Sequence, residues 1–310
     1  MSLRLASLID SLKLVVQARN DLCDRSRGVN GGFRAVSRGC KQLSDDWFLW
    51  RFGVITGSIA QTMMKPKFPK KAVTNGVVQA LTQYQRINAR AQNVEVTASD
   101  EMRAGRVLEN FVLSKYLTGP RLHGRSKLER PGLVFHPLEH DIAHSADAIL
   151  TDENGKKMLV EVKTVWSDIS WAYFESVKAK ASIHHQTALG LAVHTECSSA
   201  RILVLDCRDR QWNAKDIAKL APQAAPEFVG KLLPPECSLV IDIDRDGSDE
   251  TQMWWESFLA RARPYRKLMN FIHAEAPECN CHDVDRDCVC VDVIAEGIQN
   301  IIEYYPKQQA

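Results

Sequence analysis

The order of elements read from hydrophobic period and punctuation predicts an α/β fold with a mixed central sheet flanked by helices. Helical patterns at 44–64, 76–92 and 100–117 precede three strand-like runs, GLVFHP (132–137), SADAILTD (145–152) and KMLVEVKTV (157–165). A further helical pattern at 171–196 is followed by ARILVLD (200–206) and SLVIDID (238–244). Neighbouring runs joined by a tight turn pair antiparallel, whereas a strand reached through a helix can return parallel. The same reading adds helices at 2–20, 250–273 and 291–304. It divides the chain into a helical N-terminal extension (1–43), a core (44–245) and a C-terminal helical segment with a Cys-rich hairpin (246–310).

Taken in order, the opening MSLRLASLIDSLKLVVQARN spaces leucine and valine at helical intervals. Asp10 and the lack of a small-residue cleavage site favour an amphipathic helix packed on the domain over a targeting presequence. KPKFPKK at 65–71 reads as an exposed basic loop. Residues 64–130 carry 13 Lys/Arg against 5 Asp/Glu, whereas residues 236–310 carry 7 against 15. The first stretch can face phosphates and the tail cannot easily do so.

Composition excludes several classes. In 310 residues, 45% are apolar and 25% charged, and no apolar run approaches the ~18 residues of a membrane span, so no membrane partner is expected. The net charge of +2 lacks the excess of a histone-like protein, so a nucleic-acid footprint must be local. Nine cysteines, an odd number without a disulfide framework, point to a reduced intracellular compartment.

The most informative stretch is HSADAILTDENGKKMLVEVKTVWSD, 144–168. Glu153-Asn154-Gly155 suits a three-residue hairpin loop closed by Gly155 in the left-handed region. With that loop Asp152 faces Lys156, Asp147 falls opposite Glu161, and alternation puts Lys163 on the same face. A two-residue Asn-Gly loop would shift the register by one and split the set. Two carboxylates held together repel, so a proton or a cation must compensate. Oxygen ligands select Mg²⁺, with Mn²⁺ able to substitute, and leave positions for water and a substrate phosphate. Lys163 beside them could orient an attacking water, which describes phosphodiester hydrolysis.

D-x(n)-E-x-K after an upstream helical glutamate resembles the PD-(D/E)xK nuclease superfamily, with its restriction-endonuclease-like core. Trp47-Phe-Leu-Trp-Arg51-Phe-Gly-Val-Ile-Thr56-Gly-Ser58 is similar to the N-terminal motif of the lambda-exonuclease or YqaJ-type branch. The order continues with Gly105-x3-Glu109, Ser145-Ala-Asp147, Glu161-Val-Lys163 and Gln186 on the next helical pattern. The superfamily's proline is Ala146 here.

The resemblance implies that Asp147, Glu161 and the backbone carbonyl of Val162 hold the metal, with Glu109 completing or flanking the site. It implies that Lys163 positions the water and that Gln186 supports the water or the scissile phosphate. Arg51, Thr56 and Ser58, with Ser145 opposite, would bind a terminal 5′-phosphate, for which a guanidinium fork and short hydroxyls are suited. The implied activity is a Mg²⁺-dependent exonuclease that degrades double-stranded DNA from a 5′ end, releasing 5′-mononucleotides in recombination, repair or viral DNA processing. Implied partners are duplex ends, a single-strand annealing protein and further copies of the chain, as in the trimeric phage enzyme. The compartment would be nuclear in a eukaryote or a nuclear DNA virus and cytoplasmic in bacteria or phage. Two other readings stay open: an endonuclease with the same metal site, and a DNA-binding module without turnover.

The tail CNCHDVDRDCVC places Cys279, Cys281, Cys288 and Cys290 where four thiolates could enclose Zn²⁺. Its C-x-C spacing departs from the usual structural pattern, so a surface hairpin with free thiols is the simpler reading. His184-His185 and His140/His144 read as surface histidines or as supports behind a site rather than zinc ligands.

Overall fold

The structure is a computed structural model that describes residues 21–64 apart from 23, 27, 28, 31, 43, 52 and 53, together with 100–116, 127–208, 214–219, 238–245 and 249–274. Of these, residues within Met1–Glu95, Gly132–Ala143 and Gly247–Ala310 form one compact unit, and those within Val96–Pro131 and His144–Asp246 form another.

The first unit holds α1 (Gly32–Gly39), α2 (Asp45–Arg51), α3 (Gly57–Met63) and, from later in the chain, β2 (Val134–Phe135) and the long α8 (Asp249–Ala274). The expected single helix over 44–64 is two helices. Between them, β-branched Val54 and Ile55 favour extended backbone, and Ile55 bridges to Ile142 through Ile55 N–H to Asp141 C=O (2.8 Å) and Ala143 N–H to Ile55 C=O (3.0 Å). Trp47, Trp50, Val54, Leu133, Phe135 and Ala143 form its core.

The second unit is built on a sheet of five strands in the order β1-β4-β5-β6-β7: β1 (Lys127–Glu129), β4 (Ala148–Thr151), β5 (Lys157–Val165), β6 (Cys197–Asp206) and β7 (Ser238–Asp244). A short β3 (Ala143–His144) pairs with β2 in a separate two-stranded sheet. The expected mixture of directions is present: β4 and β5 pair antiparallel, β5 and β6 parallel, β6 and β7 antiparallel. Strand β1 is an addition that its three residues were too short to signal.

Alternation along β5 assigns its side chains to two helical layers. Val160 and Val162 pack with Ala104, Leu108 and Phe111 of α4 (Asp100–Tyr116) and with Ile217 of α7 (Ala214–Ala218). On the other face, Leu159 packs with Leu191 of α6 (His185–Val193), and Val165 with Phe174 and Val177 of α5 (Asp168–Lys178). Glu161 and Lys163 therefore belong to the face covered by α5 and α6.

The helix expected over 171–196 is interrupted between α5 and α6. Ser167 caps α5, its hydroxyl accepting from Ser170 N–H at 3.3 Å. Beyond Lys178 the chain turns through Lys180 in the left-handed region (φ 58°), with Lys180 N–H donating to Val177 C=O (3.0 Å) and Ala181 N–H to Ser176 C=O (2.9 Å). This pair of bonds is a Schellman ending, normally marked by glycine. A lysine there leaves no sequence signal for the stop. The helices expected at 2–20, 76–92 and 291–304, and the Cys279–Cys290 hairpin, lie outside the described residues. No helix among the described residues is long and apolar enough to cross a membrane.

Candidate active site

The β4–β5 turn sets the register of everything that follows. Asp152 Oδ1 accepts from Asn154 N–H (2.9 Å) and Lys156 N–H (2.8 Å), while Gly155 takes φ 79° and donates to Asp152 C=O (3.1 Å). This is the expected three-residue loop, with Ala148 opposite Val160 and Thr151 opposite Lys157. Asp147 lies one residue before β4 begins, at the level of Glu161. Its Oδ2 accepts from Val162 N–H at 2.8 Å, so the carboxylate is tied to the next strand by its side chain.

Glu161 is completely buried. Its Oε2 accepts from Lys163 Nζ (2.8 Å) and from Gln186 Nε2 (3.0 Å), the latter reaching in from the first turn of α6. Its Oε1 accepts no hydrogen bond; His144 Nε2 is 3.3 Å away but out of line. His184 caps α6, its Nδ1 accepting from Thr187 N–H at 3.3 Å. Burial and the nearby Lys163 ammonium push His184 down to about 3, so the ring stays neutral and can accept. His144 and His184 are buried at 1% and 2% exposure, which settles the surface reading against them.

Glu109 comes from α4, on the opposite face. A Cβ on Gly105 would lie 3.3 Å from Thr164 Oγ1, so glycine lets α4 rest close to β5, and Glu109, one helical turn later, shares that face. Lys163, Val162, Arg106, Glu109 and Trp166 line a cleft of about 380 Å³.

The electrostatics follow from packing three carboxylates with one ammonium. Burial, then the Glu161 charge, push Asp147 up to about 7; burial, then Asp147, push Glu109 up to about 7. Burial also raises Glu161, against the lowering effect of Lys163. Burial alone would lower Lys163, but Glu161 and Asp147 outweigh it and raise its pKa, so it remains an ammonium throughout the working range. Among the described residues no three His, Cys, Asp or Glu side chains gather at metal-ligand distances. Mg²⁺ usually needs only one or two carboxylates, however, and two buried carboxylates short of positive charge, one with a donor-free oxygen, are the donor set it takes.

These shifts fix a sign. In the metal-free chain Asp147 and Glu109 hold protons up to about pH 7 that the unfolded chain releases near pH 4, so their contribution to stability is present below about 4 and is lost as pH rises towards 7. In EDTA the melting temperature of the wild type should therefore fall from pH 5 to pH 8 more steeply than that of Asp147→Asn. Identical slopes would contradict the account.

In the first unit, Arg51 Nη2 donates to Thr56 Oγ1 (3.3 Å), and Thr56 Oγ1 lies 3.4 Å from Ser58 Oγ. The Arg51 guanidinium stacks over Trp47, 4.2 Å from the ring centroid. The three residues nominated for phosphate binding are thus neighbours, with Ser58 exposed and Thr56 buried. Ser145 stands in the second unit, two residues before Asp147.

A family model described as the YqaJ-like viral recombinase domain matches residues 46–197. That segment, just under half of the chain, is similar to a YqaJ-like domain. Every nominated residue from Arg51 to Gln186 lies inside it, and the tail cysteines 279, 281, 288 and 290 lie outside. Among solved structures, LHK-Exo, an alkaline exonuclease from Laribacter hongkongensis crystallised with dAMP, is similar at 18% identity over 75% of this chain and 99% of its own, with a TM-score of 0.46. A phage-related exonuclease from Haemophilus somnus is similar at 15% identity over 71% of this chain and 95% of its own, with a TM-score of 0.43. No curated protein matches the chain.

Sequence reasoning did not single out His194, whose Nε2 lies 3.3 Å from His144 Nδ1, because fifty residues separate two rings that only the fold brings together. Nor did it single out Gly190, which lies against the same His144 ring. Neither carries a local signal in the sequence.

Proposed function

We propose that the chain is a Mg²⁺-dependent DNA exonuclease that hydrolyses one strand of a linear duplex from a 5′ end and releases 5′-mononucleotides. The observation that carries this is the meeting of Lys163 and Gln186 on the buried Glu161 carboxylate, which keeps a donor-free oxygen, with the Asp147 carboxylate tied to Val162 beside it, inside the YqaJ-like match.

In this reading Asp147 and Glu161, with the main chain at Val162 and Glu109 flanking, hold the cation; Mn²⁺ can replace Mg²⁺. When bound, the cation supplies Lewis acidity and neutralises charge developing on the scissile phosphate. Lys163, fixed as an ammonium, cannot take a proton from water; it donates, holding the attacking water and stabilising the negative charge that grows on it. Gln186 shares Glu161 Oε2 with Lys163 and so keeps both donors in register. The cleft beside Lys163 and Glu109 receives the strand. Arg51, Thr56 and Ser58, neighbours within the first unit, bind the terminal 5′-phosphate.

Incubation with a closed circular duplex beside linear duplexes ending in 5′-phosphate or 5′-hydroxyl tests this. The circle should survive, the linear forms should shorten, and the phosphorylated end should be preferred, a preference that Arg51→Ala abolishes. Nicking of the circle would replace this reading with an endonuclease. Retardation of DNA without shortening, in Mg²⁺ and EDTA alike, would replace it with a binding module.

A further inference from the structure

Lys163 and Gln186 hold only one of the two oxygens of Glu161. The group facing the other is His144, with Nε2 at 3.3 Å from Oε1. Behind it, His144 Nδ1 lies 3.3 Å from His194 Nε2, the rings standing edge to face at 90°. His194 Nδ1 is in turn 3.9 Å from Oε1 of the part-exposed Glu196. Both imidazoles are buried, at 1% and 0% exposure.

Helix α6 is shaped around this stack. A Cβ on Gly190 would come 3.0 Å from His144 Cε1 and 3.1 Å from Nε2, so a side chain there would press the ring a few tenths of an ångström from its place beside Glu161. Removing two imidazoles from water is unfavourable unless their nitrogens are used. A neutral imidazole donates from one nitrogen and accepts at the other. If His194 donates from Nε2 to His144 Nδ1, its own Nδ1, beyond hydrogen-bond reach of Glu196 at 3.9 Å, is left as an acceptor, and the proton of His144 sits on Nε2, facing Oε1 of Glu161. A small rotation of the ring then aligns N–H with one lone pair of Oε1, and the other lone pair stays available to the cation.

A carboxylate that holds a cation must not turn about its last bond, and donors placed behind it set its angle. We propose that His144, its tautomer set by His194, is a positioning residue that locks the Glu161 carboxylate in the orientation that binds a divalent cation. The inference rests on the reading of Glu161 as a metal-holding carboxylate and assigns the support that reading lacked.

The test uses Mn²⁺ as the probe, titrated calorimetrically into the full chain without DNA, alongside cleavage of a linear duplex. His144→Gln retains a donor; His144→Leu fills similar space without one. His144→Leu should weaken Mn²⁺ binding about tenfold to hundredfold and lower kcat by a similar factor, with KM for DNA little changed, while His144→Gln recovers most of both. Wild-type Mn²⁺ affinity in folded His144→Leu overturns the inference, as does a His144→Gln variant as impaired as the leucine one. If His144→Leu does not fold, His194→Gln decides: weakened Mn²⁺ binding with the fold intact supports the stack, and wild-type binding overturns it. A wild type that neither binds Mn²⁺ nor cleaves would remove the reading of Glu161 and this inference with it. Metal-dependent cleavage at the wild-type rate in His144→Leu would remove this inference alone.

Discussion

Lys163→Ala and Asp147→Ala should each slow turnover on linear duplex DNA by at least about a hundredfold, equivalent to about 2.7 kcal/mol of barrier. The reasons differ. Lys163→Ala removes the ammonium that Glu161 holds at 2.8 Å and with it the donor proposed to hold the attacking water. Asp147→Ala removes a carboxylate that the Val162 amide has already oriented, and leaves that buried amide without its acceptor. Asp147→Ala should therefore also raise the Mg²⁺ concentration needed for half-maximal rate, whereas Lys163→Ala should lower kcat at every Mg²⁺ concentration. Single-turnover rates measured across a Mg²⁺ series separate the two. Near wild-type rates in both folded variants would remove the site assignment.

Gly132→Ala should destabilise the first unit by about 3 kcal/mol, at the upper end of what overpacking costs. An added Cβ would meet the backbone carbonyl oxygens of Cys40 at 2.3 Å and Ser37 at 2.5 Å, neither of which can swing aside as a side chain would. The close approach exists because Gly132 N–H donates to Arg38 C=O (2.7 Å) and Leu133 N–H to Ser37 C=O (2.9 Å), satisfying carbonyls at the end of α1. Leu133 belongs to the same core as Trp47, whose ring carries the Arg51 guanidinium. Thermal unfolding should show the loss as a midpoint lowered by roughly 6 °C or more, and preference for a 5′-phosphorylated end should weaken with it. An unchanged midpoint would contradict the packing described.

Gly132 also shows where sequence reading stops. Its run was legible as a strand-like segment, but the carbonyls it must pass lie more than ninety residues earlier, and no local pattern announces them. The extents of β5 and β7, by contrast, match the runs read at 157–165 and 238–244, because alternation and flanking turn residues act locally. The β4–β5 register was legible for a similar reason: Glu-Asn-Gly admits few turns, and only one of the two weighed brings Asp147 level with Glu161. The break between α5 and α6 was not legible, since Lys180 occupies a backbone position where glycine would have been the signal.

The candidate site divides along the same line. Glu109, Asp147, Glu161, Lys163 and Gln186 could be nominated because their order and spacing follow a family pattern, and the fold brings the charges of the first four together with the Gln186 amide on Glu161. Gly105 acquires a physical reason only in the structure, where it lets α4 approach Thr164. The His144–His194 pair had no pattern to betray it, because buried polar support is specified by packing from several elements at once.

The account stands most directly on one time course: release of label from a linear duplex marked at its 5′ end, by the wild type and by Asp147→Asn, each in Mg²⁺ and in EDTA. The wild type should release 5′-mononucleotide in Mg²⁺ and nothing in EDTA, and Asp147→Asn should release almost none in either. Release by the wild type in EDTA, or release by the variant at the wild-type rate, would show that the β4–β5 carboxylates are not the centre of the chemistry.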